Sequence, residues 1–262
     1  MKTLANEIVA WLKNYAETNN RKAFVLGVSG GVDSALVSTL CAMTGLPTYC
    51  VVLPCQSKEE HANTAGKHID WMQDNFGDIV VFKKIDLTDT FEAFYDETKY
   101  DYADDLAYAN TKSRLRMIAL YQIATPAQGL VVGTGNKVED FGIGFFTKWG
   151  DGGVDISPIA DLMKSEVRQM CRDLGVLPEL SEAVPTDGLW NDTRTDETQV
   201  GATYDELEWA MGFLEKNNGW PLESTISTMS ARQKDVLNIY NQRHLVSRHK
   251  LNPIPTFVRK SA

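Results

Sequence analysis

Short apolar runs that alternate with helix-like segments constrain the fold of this 262-residue chain more than any other feature. Four runs have the length and composition of buried β-strands, and they are residues 23–28, 48–53, 79–85 and 129–133. Parallel strands joined through helices need right-handed crossovers, which place helices on both faces of the sheet. The sequence therefore predicts an α/β fold with an open, mainly parallel sheet that helices cover on both faces.

Apolar residues at helical spacing predict helices between and around these strands. The chain opens with an amphipathic helix whose apolar positions run from Leu4 to Tyr15. Further helices are predicted at residues 35–43, 59–76, 88–97, 105–124, 164–174, 204–214 and 231–243. The last two are helical additions at the C-terminal end. Residues 178–199 are polar and irregular, which is typical of a loop that closes over a site.

Composition limits the function classes. No internal repeat or low-complexity linker divides the chain, so residues 1–262 are predicted to form a single domain. The sequence has 26 lysines and arginines and 35 acidic residues, which gives a net charge of −9. This negative charge argues against a protein that coats nucleic acid. No apolar run approaches the roughly 18 residues that a membrane span needs, and residues 1–7 lack the apolar region of a signal peptide, so we expect neither feature. We therefore expect a cytoplasmic protein in which any polyanionic ligand is held by a local site.

The loop after the first predicted strand, Ser29-Gly30-Gly31-Val32-Asp33-Ser34, is the most informative segment. It lies where an open parallel sheet binds ligands, beyond the carboxyl end of a strand. Adjacent glycines let backbone N–H groups converge on an anion, and the following helix adds the positive end of its dipole. A tight turn capped by Ser34 would explain one serine and one glycine, but not Asp33. Because an aspartate repels phosphates unless a cation bridges them, Asp33 implies Mg²⁺.

This hexapeptide resembles the Ser-Gly-Gly-x-Asp-Ser loop of the ATP-pyrophosphatases (the PP-loop superfamily). It is neither a Walker A loop nor a dinucleotide fingerprint. Enzymes with this loop split ATP between its α- and β-phosphates and leave AMP on a carbonyl or carboxylate oxygen. The resemblance implies a Rossmann-like fold of the adenine nucleotide alpha-hydrolase type, but it does not identify the acceptor.

Later motifs resemble those of ammonia-dependent NAD synthetases. The most specific is Phe-Phe-Thr-Lys-Trp-Gly-Asp-Gly-Gly at residues 145–153, which follows Val-Val-Gly-Thr-Gly-Asn-Lys-Val-Glu at residues 131–139. Other matching segments are residues 112–117, 162–164, 185–190 and 248–250, all in the family's order. The resemblance implies conversion of deamido-NAD to NAD with ATP, Mg²⁺ and ammonia, the last step of NAD biosynthesis. An acyl-adenylate would be the intermediate, with AMP and pyrophosphate as by-products.

The resemblance also implies roles for individual residues. ATP would be bound by Gly27, Val28, Ser29, Gly30, Gly31, Val32, Asp33, Ser34, Thr134, Lys164 and Thr186. Deamido-NAD would be contacted by Arg114, Lys148, Asp155, His249 and Lys250. The Mg²⁺ ligands would be Asp33 and Glu139, and the catalytic residues Asp33, Lys164 and Asp151. In these roles Lys164 offsets phosphate charge and Asp151 takes a proton from ammonium.

Each assignment also has an ordinary structural alternative. Glu139 could be the acidic residue that is common at a helix start, and Arg114 could lie on a solvated helix face. His249 and Lys250 could belong to a frayed terminus. Asp151 could be a solvated loop acid. The order of the motifs along the chain, and not any single residue, favours the functional interpretation.

Two other functions fit part of the pattern. One is another PP-loop amidotransferase or thio-transferring enzyme, such as a GMP synthetase or a tRNA-modifying enzyme. A GMP synthetase should carry a glutaminase domain or partner, and a tRNA enzyme should show a basic face. The other is a nucleotide-binding module without catalysis, against which the presence of Asp33 and Glu139 argues.

The resemblance carries two further expectations. The synthetase pattern occupies the whole sequence and leaves no room for a glutamine-using domain, so we expect free ammonia as the nitrogen source. The family also implies a homodimer with the substrate site at the interface, where Arg114 would reach deamido-NAD bound mainly by the other subunit. The apolar residues of the predicted helix 105–124 are compatible with such an interface, although they could equally cover the sheet.

Overall fold

The computed structural model describes residues 1–56, 59–182 and 195–259. Four parallel strands form one sheet in the order β3-β2-β1-β4. The strands are β1 (Ala23–Gly27), β2 (Thr48–Val52), β3 (Val80–Lys84) and β4 (Gly129–Val131). The chain builds outward from β1 to β3 and then returns to place β4 on the other side of β1. This reversal makes a ligand-binding crevice beyond the carboxyl ends of β1 and β4.

Helices cover both faces of the sheet, which confirms the predicted α/β fold. Alternate residues of β1 enter different cores: Phe24 and Leu26 pack with α1, α2 and α6, whereas Val25 packs with α4 and α5. A third cluster joins α2, α3, β2 and β3. The helices are α1 (Lys2–Thr18), α2 (Val32–Met43), α3 (Glu59–Phe76), α4 (Thr88–Thr98), α5 (Asp105–Ala124) and α6 (Lys164–Leu174).

The C-terminal part of the chain contains α7 (Pro178–Ser181), α8 (Asp196–Val200), α9 (Tyr204–Lys216), α10 (Glu223–Ser227) and α11 (Ala231–Leu251), and a π-helical turn precedes it at Lys137–Ile143. Leu180 of α7 joins the core of α1, α2 and α6, whereas α8, α9 and α11 form a separate core with the π-helical turn. Val138 and Ile143 of the π-helical turn pack with Val200, Leu207 and Leu237 from α8, α9 and α11. This packing fixes the π-helical turn, and with it Glu139, against the end of the sheet.

Several sequence predictions are corrected here. Residues 178–199 are not wholly irregular, because they contain α7 and all but the last residue of α8. Helix α10 was not predicted. The final helix continues to Leu251, so His249 and Lys250 lie in regular structure and not in a frayed tail. Residues 183–194, which include Thr186, lie outside the described residues.

His68 matches no functional motif, and the structure gives it a packing role. It is fully buried on α3, stacks on Trp71, and its Nε2 lies 2.8 Å from Oγ of Ser38 on α2. Burial lowers the pKa of His68 to about 4, so the imidazole is neutral near pH 7. Among the helices that the structure describes, none is both long and apolar enough to cross a membrane.

Candidate active site

The loop between β1 and α2 is preorganised by its own hydrogen bonds. The Ser34 hydroxyl donates to the Gly31 carbonyl at 2.9 Å, and the Gly31 N–H donates to Oγ of Ser29 at 3.2 Å. Gly30 has φ +87°, a conformation that favours glycine. The turn therefore places the first residues of α2, including Asp33, at the carboxyl edge of the sheet.

Lys164 lies between two carboxylates. Its Nζ donates to Asp33 Oδ2 at 2.5 Å and to Glu139 Oε1 at 2.9 Å, and its side chain is only 4% exposed. The three residues come from α6, α2 and the π-helical turn, so the fold brings together positions that are far apart in sequence. Asn136 adds a hydrogen bond from its amide to Asp33 Oδ1 at 3.2 Å. The predicted catalytic and metal-binding residues Asp33, Lys164 and Glu139 thus form one cluster.

The charges of this cluster follow from its contacts. Burial lowers the pKa of Lys164, but attraction to Asp33 and Glu139 outweighs burial and raises the pKa above its ordinary value. Desolvation raises the pKa of Asp33 despite Lys164. For Glu139, desolvation is outweighed by Lys164 and by hydrogen bonds, and the pKa of this carboxyl is lowered. Lys164 is therefore a firmly protonated cation held by ionised Glu139.

A second group of predicted residues lies around the loop that follows the π-helical turn. Asp151 Oδ1 accepts hydrogen bonds from the Ser113 hydroxyl at 2.8 Å and the Thr147 N–H at 2.9 Å. Lys250 donates to the carbonyls of Gly144 and Phe146. These contacts fasten the loop to α5 on one side and to α11 on the other.

Three more predicted dinucleotide contacts, Arg114, Lys148 and His249, lie at the same place. The Lys148 ammonium donates to the His249 carbonyl at 3.0 Å, and Arg114 Nη2 donates to the Lys148 carbonyl at 3.5 Å. Arg114 is exposed and Lys148 is partly exposed, and neither forms an ion pair among the described residues. Their positive charges are therefore not neutralised by a nearby carboxylate.

One cleft of about 1730 Å³ joins the two groups. Pockets for a single small ligand usually hold ~300–1,000 Å³, so this cleft has room for two nucleotides. The predicted site residues that line it are Gly27, Val28, Ser29, Gly30, Gly31, Val32, Asp33, Ser34, Arg114, Thr134, Glu139, Lys148, Asp151, Lys164, His249 and Lys250.

Asp155 does not line the cleft of its own chain. Its Oδ2 accepts the Val131 N–H at 2.8 Å, and its Oδ1 accepts the Tyr121 hydroxyl at 3.0 Å. These bonds place the carboxylate at the end of β4, beside α5. Its role as a dinucleotide contact stays a prediction.

The lining of the cleft is less acidic than the whole chain. In the described part of the chain, seven lysines and arginines line it, namely Lys67, Arg114, Arg116, Lys148, Lys164, Arg243 and Lys250, against six carboxylates, namely Asp33, Glu139, Asp140, Asp151, Glu179 and Asp196. The net charge of the sequence is −9. Attraction for a polyanionic ligand is therefore built locally, as polyphosphate recognition in an acidic protein requires.

Sequence reasoning missed two residues of this site. Tyr204 donates its hydroxyl proton to Glu139, and its ring lies 4.8 Å from the Lys164 ammonium. Asp140 lines the cleft beside Gly135, and its pKa is raised well above the ordinary value by desolvation and by neighbouring carboxylates. Asp140 follows Glu139 in the sequence, and this adjacency could have indicated that it lies in the site. Nothing in the sequence relates Tyr204 to Glu139.

A family model described as NAD synthase matches residues 4–254. This chain belongs to the NAD synthase family. The NH3-dependent NAD+ synthetase of Alkaliphilus metalliredigens is 37% identical over 260 residues, which cover 95% of this chain and 96% of that protein. NAD synthesis is therefore its function, as a ligase that uses ATP, and the predicted resemblance is confirmed.

Solved structures support the same fold. A structure described as NMN synthetase from Francisella tularensis aligns with a TM-score of 0.84 and 31% identity over 97% of each chain. The NH3-dependent NAD synthetase from Campylobacter jejuni aligns with a TM-score of 0.78 and 21% identity over 98% of each chain. The NAD synthase family membership favours NAD synthesis over the GMP synthetase-like alternative.

The packing of Asp140 against Gly135 gives a test of the site geometry. A Cβ at residue 135 would lie 1.8 Å from Asp140 Oδ2, so Gly135→Ala forces this carboxylate to move. We expect Gly135→Ala to lower the free energy of unfolding by about 1–3 kcal/mol, measured by urea denaturation. In an Asp140→Ala background the same change should cost much less. Gly66→Ala is the control, because its Cβ meets nothing within 4 Å. Equal costs of Gly135→Ala in both backgrounds would contradict this packing.

Proposed function

We propose that this chain adenylates the nicotinate carboxylate of deamido-NAD with ATP and then replaces the AMP by ammonia. The observation that carries this proposal is the Lys164 ammonium between Asp33 and Glu139, beside an anion-binding loop. A cleft large enough for two nucleotides extends from this cluster to the Asp151 loop. The chain would act as a single domain over residues 1–262, in the cytoplasm.

ATP would bind along the β1–α2 loop. In this assignment residues 27–34 surround the triphosphate with backbone N–H groups and the N-terminus of α2. Thr134 lies across the cleft, after β4, and Lys164 faces the same loop. Thr186 completes the proposed set from outside the described residues.

Asp33 and Glu139 fit a magnesium site, because they already share one cation, the Lys164 ammonium. Carboxylate oxygens are hard ligands of the kind Mg²⁺ prefers. Within the described ranges no group of three or more His, Cys, Asp or Glu side chains could hold a metal by itself. Phosphate oxygens and water would therefore complete the coordination, as is usual for Mg²⁺. When bound, Mg²⁺ would neutralise charge on the ATP phosphates.

In the first step an oxygen of the acceptor carboxylate attacks the α-phosphorus of ATP. The bond from this phosphorus to the bridging oxygen breaks, and pyrophosphate leaves with the electron pair. Lys164 contributes by holding a positive charge where negative charge accumulates on the phosphates. The cleft contributes by holding the two reactants together, which replaces an encounter in solution by a unimolecular step.

In the second step ammonia attacks the activated carbonyl carbon, AMP leaves with the electron pair of the broken C–O bond, and the nitrogen loses a proton to water to form the amide. Ammonium must lose a proton before it can attack, and we assign this proton to Asp151. Desolvation raises the pKa of Asp151, although hydrogen bonds from Thr147 and Ser113 oppose the shift. This net rise makes the carboxylate a better proton acceptor than a solvated aspartate.

Arg114, Lys148, His249 and Lys250 would bind deamido-NAD at the far end of the cleft, in a homodimer. Two features of α5 support a subunit interface at this end. Leu106 and Ile118 are 59% and 57% exposed on this helix, which is unusual for large apolar side chains. Arg114, on the same helix, projects an exposed guanidinium beside them.

A second acceptor deserves a direct comparison, namely nicotinate mononucleotide. The observation that favours it is the structural match to an NMN synthetase, which exceeds the match to the Campylobacter jejuni enzyme in both TM-score and identity. The size of the cleft and the Alkaliphilus metalliredigens relative favour deamido-NAD.

The acceptor is decided by steady-state assays with ATP, Mg²⁺, ammonium and either deamido-NAD or nicotinate mononucleotide. We expect kcat/KM to be higher for deamido-NAD, with one AMP formed per amide. At fixed total ammonium the rate should rise with pH, because more of it is free ammonia. Higher kcat/KM for the mononucleotide would contradict the proposed substrate. Comparable turnover on glutamine, in protein freed of glutaminase, would contradict the nitrogen source.

The proposal that Arg114 completes the substrate site of the partner subunit is tested by mixing two inactive variants. Asp33→Asn keeps the shape of the side chain but removes its charge, and Arg114→Ala removes the proposed contact to the partner's dinucleotide. Each variant alone should lose activity by about 100-fold or more, since a buried charged contact is lost. Mixed dimers, formed by mild dissociation and reassembly, should regain activity through one complete site. If verified mixed dimers are as inactive as their parents, Arg114 does not act across a subunit interface.

A further inference from the structure

Tyr204 is the side chain that touches both ends of the Glu139–Lys164 ion pair. It is the first residue of α9 and is 6% exposed. Its hydroxyl donates a short hydrogen bond to Oε1 of Glu139, the same oxygen that accepts from Lys164. The face of its ring lies 4.8 Å from the Lys164 ammonium, close enough for a cation–π contact.

The position of Tyr204 is fixed from outside the site. Its N–H donates to Oε1 of Glu197 on α8 at 3.0 Å. Thr203 caps α9, with its N–H donating to Glu206 at 2.9 Å, and Arg232 of α11 pairs with the same Glu206 at 2.6 Å. Because contacts from α8 and α11 and its own cap hold the start of α9, the position of the Tyr204 ring does not depend on Glu139 or Lys164.

We propose that Tyr204 is a positioning residue that holds Glu139 and Lys164 in the orientation required for Mg²⁺ and ATP. The hydroxyl restricts a glutamate side chain that has three rotatable bonds, and the ring restricts the longer lysine side chain. Asp196 Oδ2 lies 3.4 Å from the hydroxyl, but the single proton serves the nearer carboxylate. The inference rests on the proposed assignment of Glu139 to magnesium.

Tyr204→Phe removes only the hydroxyl and keeps the ring beside Lys164. The first readout is the dissociation constant of Mg²⁺, measured by calorimetry with a non-hydrolysable α,β-methylene analogue of ATP bound. We expect Mg²⁺ binding to weaken about tenfold, the effect of losing one hydrogen bond to a charged group. In assays kcat should fall, whereas KM for deamido-NAD should stay within about twofold, because the acceptor residues are untouched.

Tyr240→Phe is the matched control. Tyr240 is the other buried tyrosine of the same core, 5% exposed, and it stacks on His244 of α11. Among the described contacts it donates to neither Asp33 nor Glu139. It should therefore leave Mg²⁺ binding unchanged. Tyr204→Leu, which also removes the ring, should weaken binding of the ATP analogue beyond the Tyr204→Phe effect. Thermal unfolding of each variant establishes that it is folded.

Glu139→Gln distinguishes the assignment of Glu139 to magnesium from the positioning role of Tyr204. If Glu139→Gln weakens Mg²⁺ binding and Tyr204→Phe leaves it at the wild-type value, the positioning role is wrong and the metal assignment stands. If Glu139→Gln leaves Mg²⁺ binding unchanged, the metal assignment is wrong and the inference falls with it. A Tyr204→Phe loss that is matched by Tyr240→Phe, or that is equal for Mg²⁺ and deamido-NAD, shows a structural effect only and also overturns the inference.

Discussion

The buried ammonium of Lys164 is the constraint on which the rest of the site depends. A lysine that is 4% exposed is tolerated only if opposite charges replace the water that it has lost. Asp33 and Glu139 supply these charges from α2 and from the π-helical turn. The β1–α2 loop, the C-terminal core and the start of α6 must therefore meet at one point. Removal of the Lys164 ammonium would leave two buried carboxylates without a counter-charge.

The strands and most helices were predictable, because each rests on a local pattern. Apolar runs of strand length predicted β1 to β4, and the Ser-Gly-Gly-x-Asp-Ser loop marked Asp33 before any fold was known. Contacts that depend on tertiary packing were not predictable. Tyr204 contacts Glu139 because α9 packs on the π-helical turn. Asp155 does not line the cleft, because its carboxylate accepts a hydrogen bond from the Val131 N–H.

The charge at the cleft differs from the charge of the whole chain. The chain is acidic overall, yet lysines and arginines surround the cleft, and the carboxylates at its centre carry a cation between them. This arrangement suits a reaction between two anions, ATP and a nicotinate nucleotide. Fixed cations would reduce the repulsion between these two anions, and under the proposed function the two carboxylates would give Mg²⁺ a defined place without a complete protein cage.

The central claim, that Asp33 and Glu139 form a cation site held by Lys164, is tested most directly by thermal unfolding of Lys164→Met with and without Mg²⁺, in the absence of ATP. Without the ammonium, the two carboxylates should bind Mg²⁺. We expect Mg²⁺ to raise the melting temperature of Lys164→Met by about 3 °C or more, and that of the wild-type protein much less. Adding Asp33→Asn to Lys164→Met should remove the effect. An equal response to Mg²⁺ in the wild-type protein and Lys164→Met would contradict the account.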